Sequence, residues 1–356
     1  MQSTLTESYY QHTQCKVLAL WVLALVTLVL GLATLSIGSI TMTPSQVVSA
    51  LLGRGDPLVQ TALYQNRLPR LLSAILVGAS LASSGAVMQC VLRNPLASAS
   101  TLGVSQGAAF GAALGIVVFG GGMVSSASAT SSIAISNPYI VTLCAFFFGS
   151  LSTLVILAIS RWKRDMGPGA LVLAGVALSS LFGGGSTLLQ YFTDETKLGA
   201  IVFWTFGNLG SANWQELSLL AVLLLVALGF FLFHRWDYNA MAGGTALAES
   251  LGIQTRRVLL SSMCVCSLLS AVSVSFVGII SFVGLIAPHI LQRFVGSDYR
   301  YLVPGSALAG ALLLILADAA SRLIIPPVIL PIGALTAFLG APMFLYLMFR
   351  GGNRRG

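Results

Sequence analysis

Apolar runs about twenty residues long recur along this chain, and they restrict its fold more than any other feature. The first, VLALWVLALVTLVLGLATLSI at 17–37, contains no charged residue. As a helix, a run of roughly 20 residues crosses the ~30 Å hydrocarbon core of a bilayer. Lipid offers no partner to an open backbone group, so a spanning chain must be helical or a closed barrel. A barrel would read as short alternating segments, and these runs do not alternate. Ten spans follow, near 17–37, 68–92, 101–119, 138–160, 169–191, 211–233, 258–279, 280–295, 301–322 and 328–349. The eighth is short enough to be a broken or half-buried helix. The first reads as an uncleaved span, because the run is long and no small-residue cleavage site follows it. Composition agrees: 56% of the 356 residues are hydrophobic and 8% are charged, against about 25% charged in soluble domains. The expectation is one all-α integral membrane domain over residues 1–356.

Basic residues orient the spans. With the N-terminus in the cytoplasm, the inside segments hold thirteen Lys and Arg, among them Lys16, Arg93, Arg161, Lys163, Arg164, Arg235, Arg256, Arg257, Arg293 and Arg300. The outside segments hold five: Arg54, Arg67, Arg70, Lys197 and Arg322. The positive-inside rule then puts both termini in the cytoplasm. The net charge of +8 is a topology signal. It forms no basic stripe of the kind that binds nucleic acid.

Transport needs an energy source, and the spans supply none. Ion-coupled carriers keep titratable groups at depth to relay a proton or ion. Asp318 is the clearest candidate, but Arg322 follows it four residues later, a spacing that makes a structural ion pair on one helix face. No G-x-x-x-x-G-K-[ST] phosphate loop occurs. Of five cysteines, Cys264 and Cys266 point about 200° apart on a helix and make neither a metal nor a redox pair. Three scattered histidines and no carboxylate pair at depth argue against an intramembrane enzyme. An ion-coupled secondary transporter or channel without an ATPase partner remains the alternative. Residues 234–257, HRWDYNAMAGGTALAESLGIQTRR, are too polar for lipid and too long for a turn. A short helix is expected from Thr245 to Leu251, with Gly243 and Gly244 before it and Gly252 closing it. It is either a solvated surface helix or a coupling element that docks into an ATPase.

Seven strings carry a family resemblance: NRLPRLL at 66–72, GASLASSGAVMQ at 78–89, RNPLASASTLGVSQGA at 93–108, LAGVAL at 173–178, FVGLIAPHILQR at 282–293, LADAASR at 316–322 and PIGALTAFLGAPMF at 331–344. In this order they resemble the FecCD family of ABC permeases, which import iron–siderophore complexes, haem and cobalamin. The resemblance implies the type II ABC importer fold of ten spans, with spans 2–5 and 7–10 as inverted repeats. Gly85 to Pro95 and Gly278 to Pro288 share a ten-residue offset that reads as a trace of that symmetry. It also implies a second permease subunit (identical or a paralogue), two cytoplasmic ABC ATPases, and a periplasmic or lipid-anchored binding protein, assembled at the inner membrane. The chain itself would hold no cofactor or metal and catalyse no reaction, with ATP and Mg bound by the ATPases. Iron–siderophore is the first cargo expected, then haem, then cobalamin.

The resemblance also assigns roles by position. Arg67, Arg70 and Arg322 match arginines that dock acidic residues of the binding protein; snorkelling to headgroups is the bland reading of the same residues. Asn94 and Leu96 match the turn that narrows the inner mouth, although Asn-Pro is also an ordinary turn. Gly167, Pro168 and Gly169 match the second inner gate by position, with Gly and Pro where small hydroxyl residues are usual. Gln106, Gln190 and Tyr191 are expected to line the path. Gly103, Gly107, Gly111 and Gly115 fall on one face of span 3, where they let another helix approach closely. ATPase coupling falls to Gly244, Thr245, Ala246, Leu247, Glu249, Leu251, Gly252, Arg256 and Arg257. Relatives usually carry one or two acidic residues after the glycine, whereas here Glu249 is the one carboxylate left in the helix, so either docking relies more on shape and on Arg256 and Arg257 or the partner ATPase differs. The outer loop at 120–137, rich in Gly, Ser and Ala, reads as a flexible tether.

Overall fold

Each of the ten expected spans meets a helix in the computed structural model, which describes residues 2–37, 42–120, 122–124, 133–135, 137–162, 167–326 and 328–352. Lys163 and Arg164, and the C-terminal Arg354 and Arg355 that complete the inside set, lie outside the described residues. The chain begins with α1 (Gln2–Ser36), α2 (Pro44–Leu51) and α3 (Pro57–Ala62). A π-helical turn, Leu63–Arg67, joins α3 to α4 (Leu68–Val91). After α5 (Val104–Val117) come two short strands, β1 (Gly122–Val124) and β2 (Ile133–Ile135). Then follow α6 (Pro138–Trp162), α7 (Pro168–Tyr191), α8 (Glu195–Thr205) and α9 (Trp214–Phe233). The polar segment holds α10 (Arg235–Ala242) and α11 (Thr245–Ser250), and the last four helices are α12 (Thr255–Val277), α13 (Val283–Val295), α14 (Tyr299–Leu323) and α15 (Ile332–Gly352). Among the described residues, seven helices are long and apolar enough to cross a bilayer; α5, α13 and the Ile332–Tyr346 part of α15 are shorter.

Small side chains decide which helix lies at the centre. From Gly78 to Ala86, α4 carries only Gly, Ala and Ser apart from Leu81, and 18 of its 24 residues are buried. Helices α9, α12, α13 and α14 pack around it. A Cβ at Gly78 would collide with the backbone of Gly310 on α14, and one at Gly85 with that of Gly284 on α13. In hydrocarbon no hydrophobic force drives helices together, so backbone-to-backbone approach supplies the packing. The glycine face of span 3 works the same way: Gly107 meets Phe148 O and Gly111 meets Cys144 O, which seats α5 on α6.

The inverted repeat is visible in the packing. Helix α4 packs on α14 as α12 packs on α6, and on α13 as α12 packs on α5, while α4 and α12 pack on one another. Both short helices also start from a residue in the left-handed region, Gly103 (φ 80°) before α5 and Phe282 (φ 66°) before α13. The ten-residue offset is not part of this symmetry. Gly85 lies inside α4 and Pro95 in the turn after it, whereas Gly278 ends α12 and Pro288 lies inside α13.

The approach to span 2 is helical: α3, the π-turn and α4 form one continuous stretch with Pro69 inside it. A proline ring clashes with the carbonyl four residues back; here that is Gln65, and the wider π-turn holds it. The loop expected as a tether contains an antiparallel pair, with Gly122 opposite Ile135 and Val124 opposite Ile133. Its residues 121, 125–132 and 136 lie outside the described residues. Helix α8 was not expected; Asp194 caps it by accepting from Lys197 N at 2.9 Å.

The glycine crossings make a direct prediction. Gly85→Val sets a branched side chain against backbone that cannot rotate away, so it is expected to cost about 3 kcal/mol, the upper end for overpacking. Gly183→Ala on α7, where an added Cβ meets nothing within 4 Å, is expected to cost nothing and to stabilise by up to about 1 kcal/mol. Thermal unfolding of the purified chain in detergent separates the two.

Candidate functional site

The crossing of α4 and α14 sets up the first cluster. Arg70 lies eight residues before Gly78, and Asp318 lies eight residues after Gly310. On antiparallel helices both offsets span about 12 Å, so the two side chains meet. Asp318 Oδ1 accepts from Arg70 Nε at 2.6 Å, and Asp318 Oδ2 pairs with Arg322 Nη2 at 2.6 Å. Asp318 is 3% exposed. The expected Asp318–Arg322 ion pair is present, and Arg70 completes it from another helix. Arg322 also donates from Nη1 to Ile37 O at 2.8 Å, and Arg67 donates from Nη1 to Leu35 O. Two guanidiniums therefore hold carbonyls where α1 ends, the terminus that favours cations. The three predicted docking arginines are thus brought together, two of them on a single carboxylate. Arg70 Nη2 is buried and has no acceptor among the described residues.

At the opposite end, α4 closes into the Asn94 turn. Arg93 takes a left-handed conformation (φ 46°), and Asn94 Oδ1 accepts from Leu96 N at 2.9 Å. Leu96 is exposed. The Gly167–Gly169 turn begins α7 with Pro168 at its first position, where a missing N–H costs nothing. Both turns lie at this end, since Gly175 further along α7 packs against Thr101 and Leu102 just before α5. Gln89, which sequence reasoning passed over, serves the same region. Pro288 cannot donate to Gly284 O, and Gln89 Nε2 donates there instead, at 3.3 Å. A glutamine one turn before the end of a buried helix, facing a mid-helix proline, was the signal available.

The polar segment is two helices where one was expected. On α10, Tyr238 is buried and its hydroxyl bonds Ser262 Oγ at 2.8 Å. Asn239 ties α10 to α14: its Nδ2 donates to Asp298 Oδ1 at 3.0 Å, and its Oδ1 accepts from Tyr299 N at 2.7 Å. Arg300 grips Asp298 through Nε and Nη2 at 2.9 and 2.6 Å and lies over the Trp236 ring at 4.7 Å. Burial pushes the Asp298 carboxyl up, but hydrogen bonds from Arg300 and Asn239 outweigh it and hold it below the ordinary carboxylate value. Helix α11 lies where the sequence placed it. It buries Ala248 and exposes Leu247 (50%) and Leu251 (64%). Gly244 (φ 123°) and Gly252 (φ 81°) hold its ends in backbone that other residues rarely adopt. Glu249 Oε1 accepts from Thr255 Oγ1 at 3.0 Å. Thr245 and Ala246 form its first turn. Arg256 is committed elsewhere: its Nη2 donates to Ser160 O at 2.8 Å and caps α6. Arg257 stays exposed.

The path residues are not brought together. Gln106 is exposed on the first turn of α5, while Gln190 and Tyr191 end α7. Because α7 meets Phe110 at Gly185, Gln190 lies beyond the level of Gln106 by about two turns or more.

Comparison with known proteins follows the same lines. The profile of the FecCD transport family matches residues 25–350. A Methanocaldococcus jannaschii protein, named as an ABC transporter permease, is 48% identical over 345 residues, covering 97% of each chain. An Fe(3+)-citrate import permease of Bacillus subtilis is 36% identical, covering 93% of this chain and 94% of its own. A hemin transport permease of Yersinia pestis is 35% identical, covering 81% and 83%. A solved inward-facing transporter, described as of the metal-chelate ABC type, superposes with a TM-score of 0.80 at 32% identity. It covers 93% of this chain and 99% of that one.

Removing Asp318 would leave Arg70 and Arg322 side by side and largely buried. Asp318→Asn is expected to destabilise the chain by about 3 kcal/mol, the lower end for breaking a buried pair. Arg54→Gln, at an exposed site, is expected to change stability by less than about 0.5 kcal/mol. Denaturation in detergent measures both.

Proposed function

Because the chain belongs to the FecCD transport family, we propose that it forms half of an ATP-driven importer that moves a bulky iron complex through the interface of two permease subunits. It is an ABC importer permease and a multi-pass membrane protein. The proposal adds the direction of each end. The Arg70 end faces outward and receives a substrate-binding protein, the α10–α11 end faces the cytoplasm and receives an ATPase, and both termini lie in the cytoplasm at the inner membrane. Two ATPases bind ATP and Mg, and their closure switches the Asn94–Leu96 and Gly167–Gly169 turns between open and shut.

One observation carries the reading. Among the described residues, Asp318 is the only charged side chain that is fully buried, and it is spent on two arginines. A relay carboxylate must be free to take and lose a proton; this one carries a guanidinium on each oxygen. That arrangement favours an ATPase outside the membrane over ion coupling as the energy source. At the outward end, Arg70 and Arg322 share the one carboxylate of Asp318 and Arg67 lies at the end of α1 with them, which leaves excess positive charge. That suits carboxylates on an approaching protein. At the cytoplasmic end, exposed Leu247 and Leu251 supply apolar anchors for a groove. Coupling thus rests on shape at α11 and on Arg257, with Arg256 holding α6 in place. An iron–siderophore is the first cargo proposed, haem the second and cobalamin the third.

Affinity measurements on the detergent-purified complex test both ends. Arg67→Glu is expected to weaken binding-protein docking at least about tenfold and leave ATPase association intact. Leu247→Asp with Leu251→Asp is expected to do the reverse, by a similar factor. Unchanged affinities in both variants would reject the assignment of the two ends. Uptake of ferric siderophore, haem and cobalamin, compared in proteoliposomes, identifies the cargo.

A further inference from the structure

Glu216 is a carboxylate without a cation. It stands in the first turn of α9, where its Oε2 accepts from Asn213 N and Asn213 Oδ1 accepts from Glu216 N, each at 2.9 Å. This reciprocal pair caps the helix. The side chain is half-buried, and no Lys, Arg or His pairs with it among the described residues. A carboxylate drawn out of water calls for a countercharge. The capping bond occupies one oxygen, and the helix N-terminus supplies only a partial positive charge.

Beside Glu216 runs a groove between α6, α9 and α12, with a volume of about 450 Å³. Its walls are almost wholly apolar, set by Leu143, Phe146, Leu219, Leu223, Leu268 and Val272. At the Glu216 end it adjoins a smaller and more polar pocket of about 200 Å³, lined in part by Asn208 and Ser211. All three walls are helices long and apolar enough to span a membrane, and Leu143, Leu219 and Leu268 on them are exposed.

Its length and flanks match one leaflet. Along α9 the lining runs from Asn213 to Leu223, and along α12 from Phe276 back to Leu268. At 1.5 Å per residue these are about 15 and 12 Å, close to half of a ~30 Å hydrocarbon core. Tyr139, which lines the groove, and Trp214 stand at the starts of α6 and α9, 66% and 48% exposed. Amphipathic rings of this kind settle at headgroup level. Apolar length, headgroup-level aromatics and a lone carboxylate thus fall in the order in which a lipid presents its chain and head.

We propose that this groove is a lipid site, holding one acyl chain of a phospholipid that carries a primary ammonium, with the ammonium against Glu216. A primary ammonium donates hydrogen bonds to the carboxylate, whereas a trimethylated one cannot.

The test uses the full chain in its complex, reconstituted in phosphatidylglycerol nanodiscs with either phosphatidylethanolamine or phosphatidylcholine. Retained lipid is read by native mass spectrometry after delipidation. The wild type is expected to keep ethanolamine lipid about tenfold over choline lipid, the scale of one charge-assisted hydrogen bond. Glu216→Gln keeps the cap, since Gln also serves at this position; it is expected to bring the two lipids to parity while still retaining lipid. Leu268→Trp fills the groove and is expected to lower retention of both. Equal retention by the wild type, or full retention by Leu268→Trp, would overturn the proposal. So would efficient disulfide cross-linking of a Leu219→Cys variant to its own copy, which would assign the groove to a second subunit.

Discussion

Backbone touching backbone at α4 is the contact from which the other arrangements follow. Gly78 lets α14 cross α4 at Gly310, and Gly85 lets α13 cross it at Gly284. Within a bilayer such contacts carry more of the packing than they would in water, because burying another leucine gains little there. The first crossing fixes which residues face one another eight positions away, and so brings Arg70 to Asp318. The second brings Gln89 to the carbonyl that Pro288 leaves unpaired. A bulkier residue at either crossing would move the functional side chains as well as loosen the packing.

Helix α14 links the two ends. Its first residues are held to the polar segment by Asn239, Asp298 and Arg300, and its last turn is held to α4 and to the end of α1 by Asp318 and Arg322. Each lock is a charge-assisted network with several donors on one carboxylate, which is how charge is kept out of water at a tolerable cost. A single helix clamped at both ends is suited to move as a unit when either end is pulled.

The parts of the structure legible in the sequence are those set by local pattern. Length and apolarity locate the spans, four-residue spacing gives the Asp318–Arg322 pair, and Gly243, Gly244 and Gly252 bracket α11. Contacts between distant parts of the chain were not legible. Arg70 joins Asp318 across 248 residues, and only the glycine crossings make that pairing intelligible. Arg256 looked like a free cation at the surface because nothing in its neighbourhood in sequence reveals the end of α6 lying beside it. The repeat was sought in a proline–glycine spacing, whereas helix packing carries it, since inverted halves preserve contacts more readily than residue types. Helix α8 was missed because an eleven-residue helix falls below the length by which spans are found.

The central claim is that the chain is a conduit whose work is done by a separate ATPase. Flux of ferric siderophore into proteoliposomes measures this most directly, with the permease present alone or with its ATPase and binding protein. The account predicts no accumulation by the permease alone under an imposed proton or sodium gradient, and accumulation only when ATP is hydrolysed. Gradient-driven uptake without the ATPase would contradict it and would make Asp318 a working relay in place of a structural anchor.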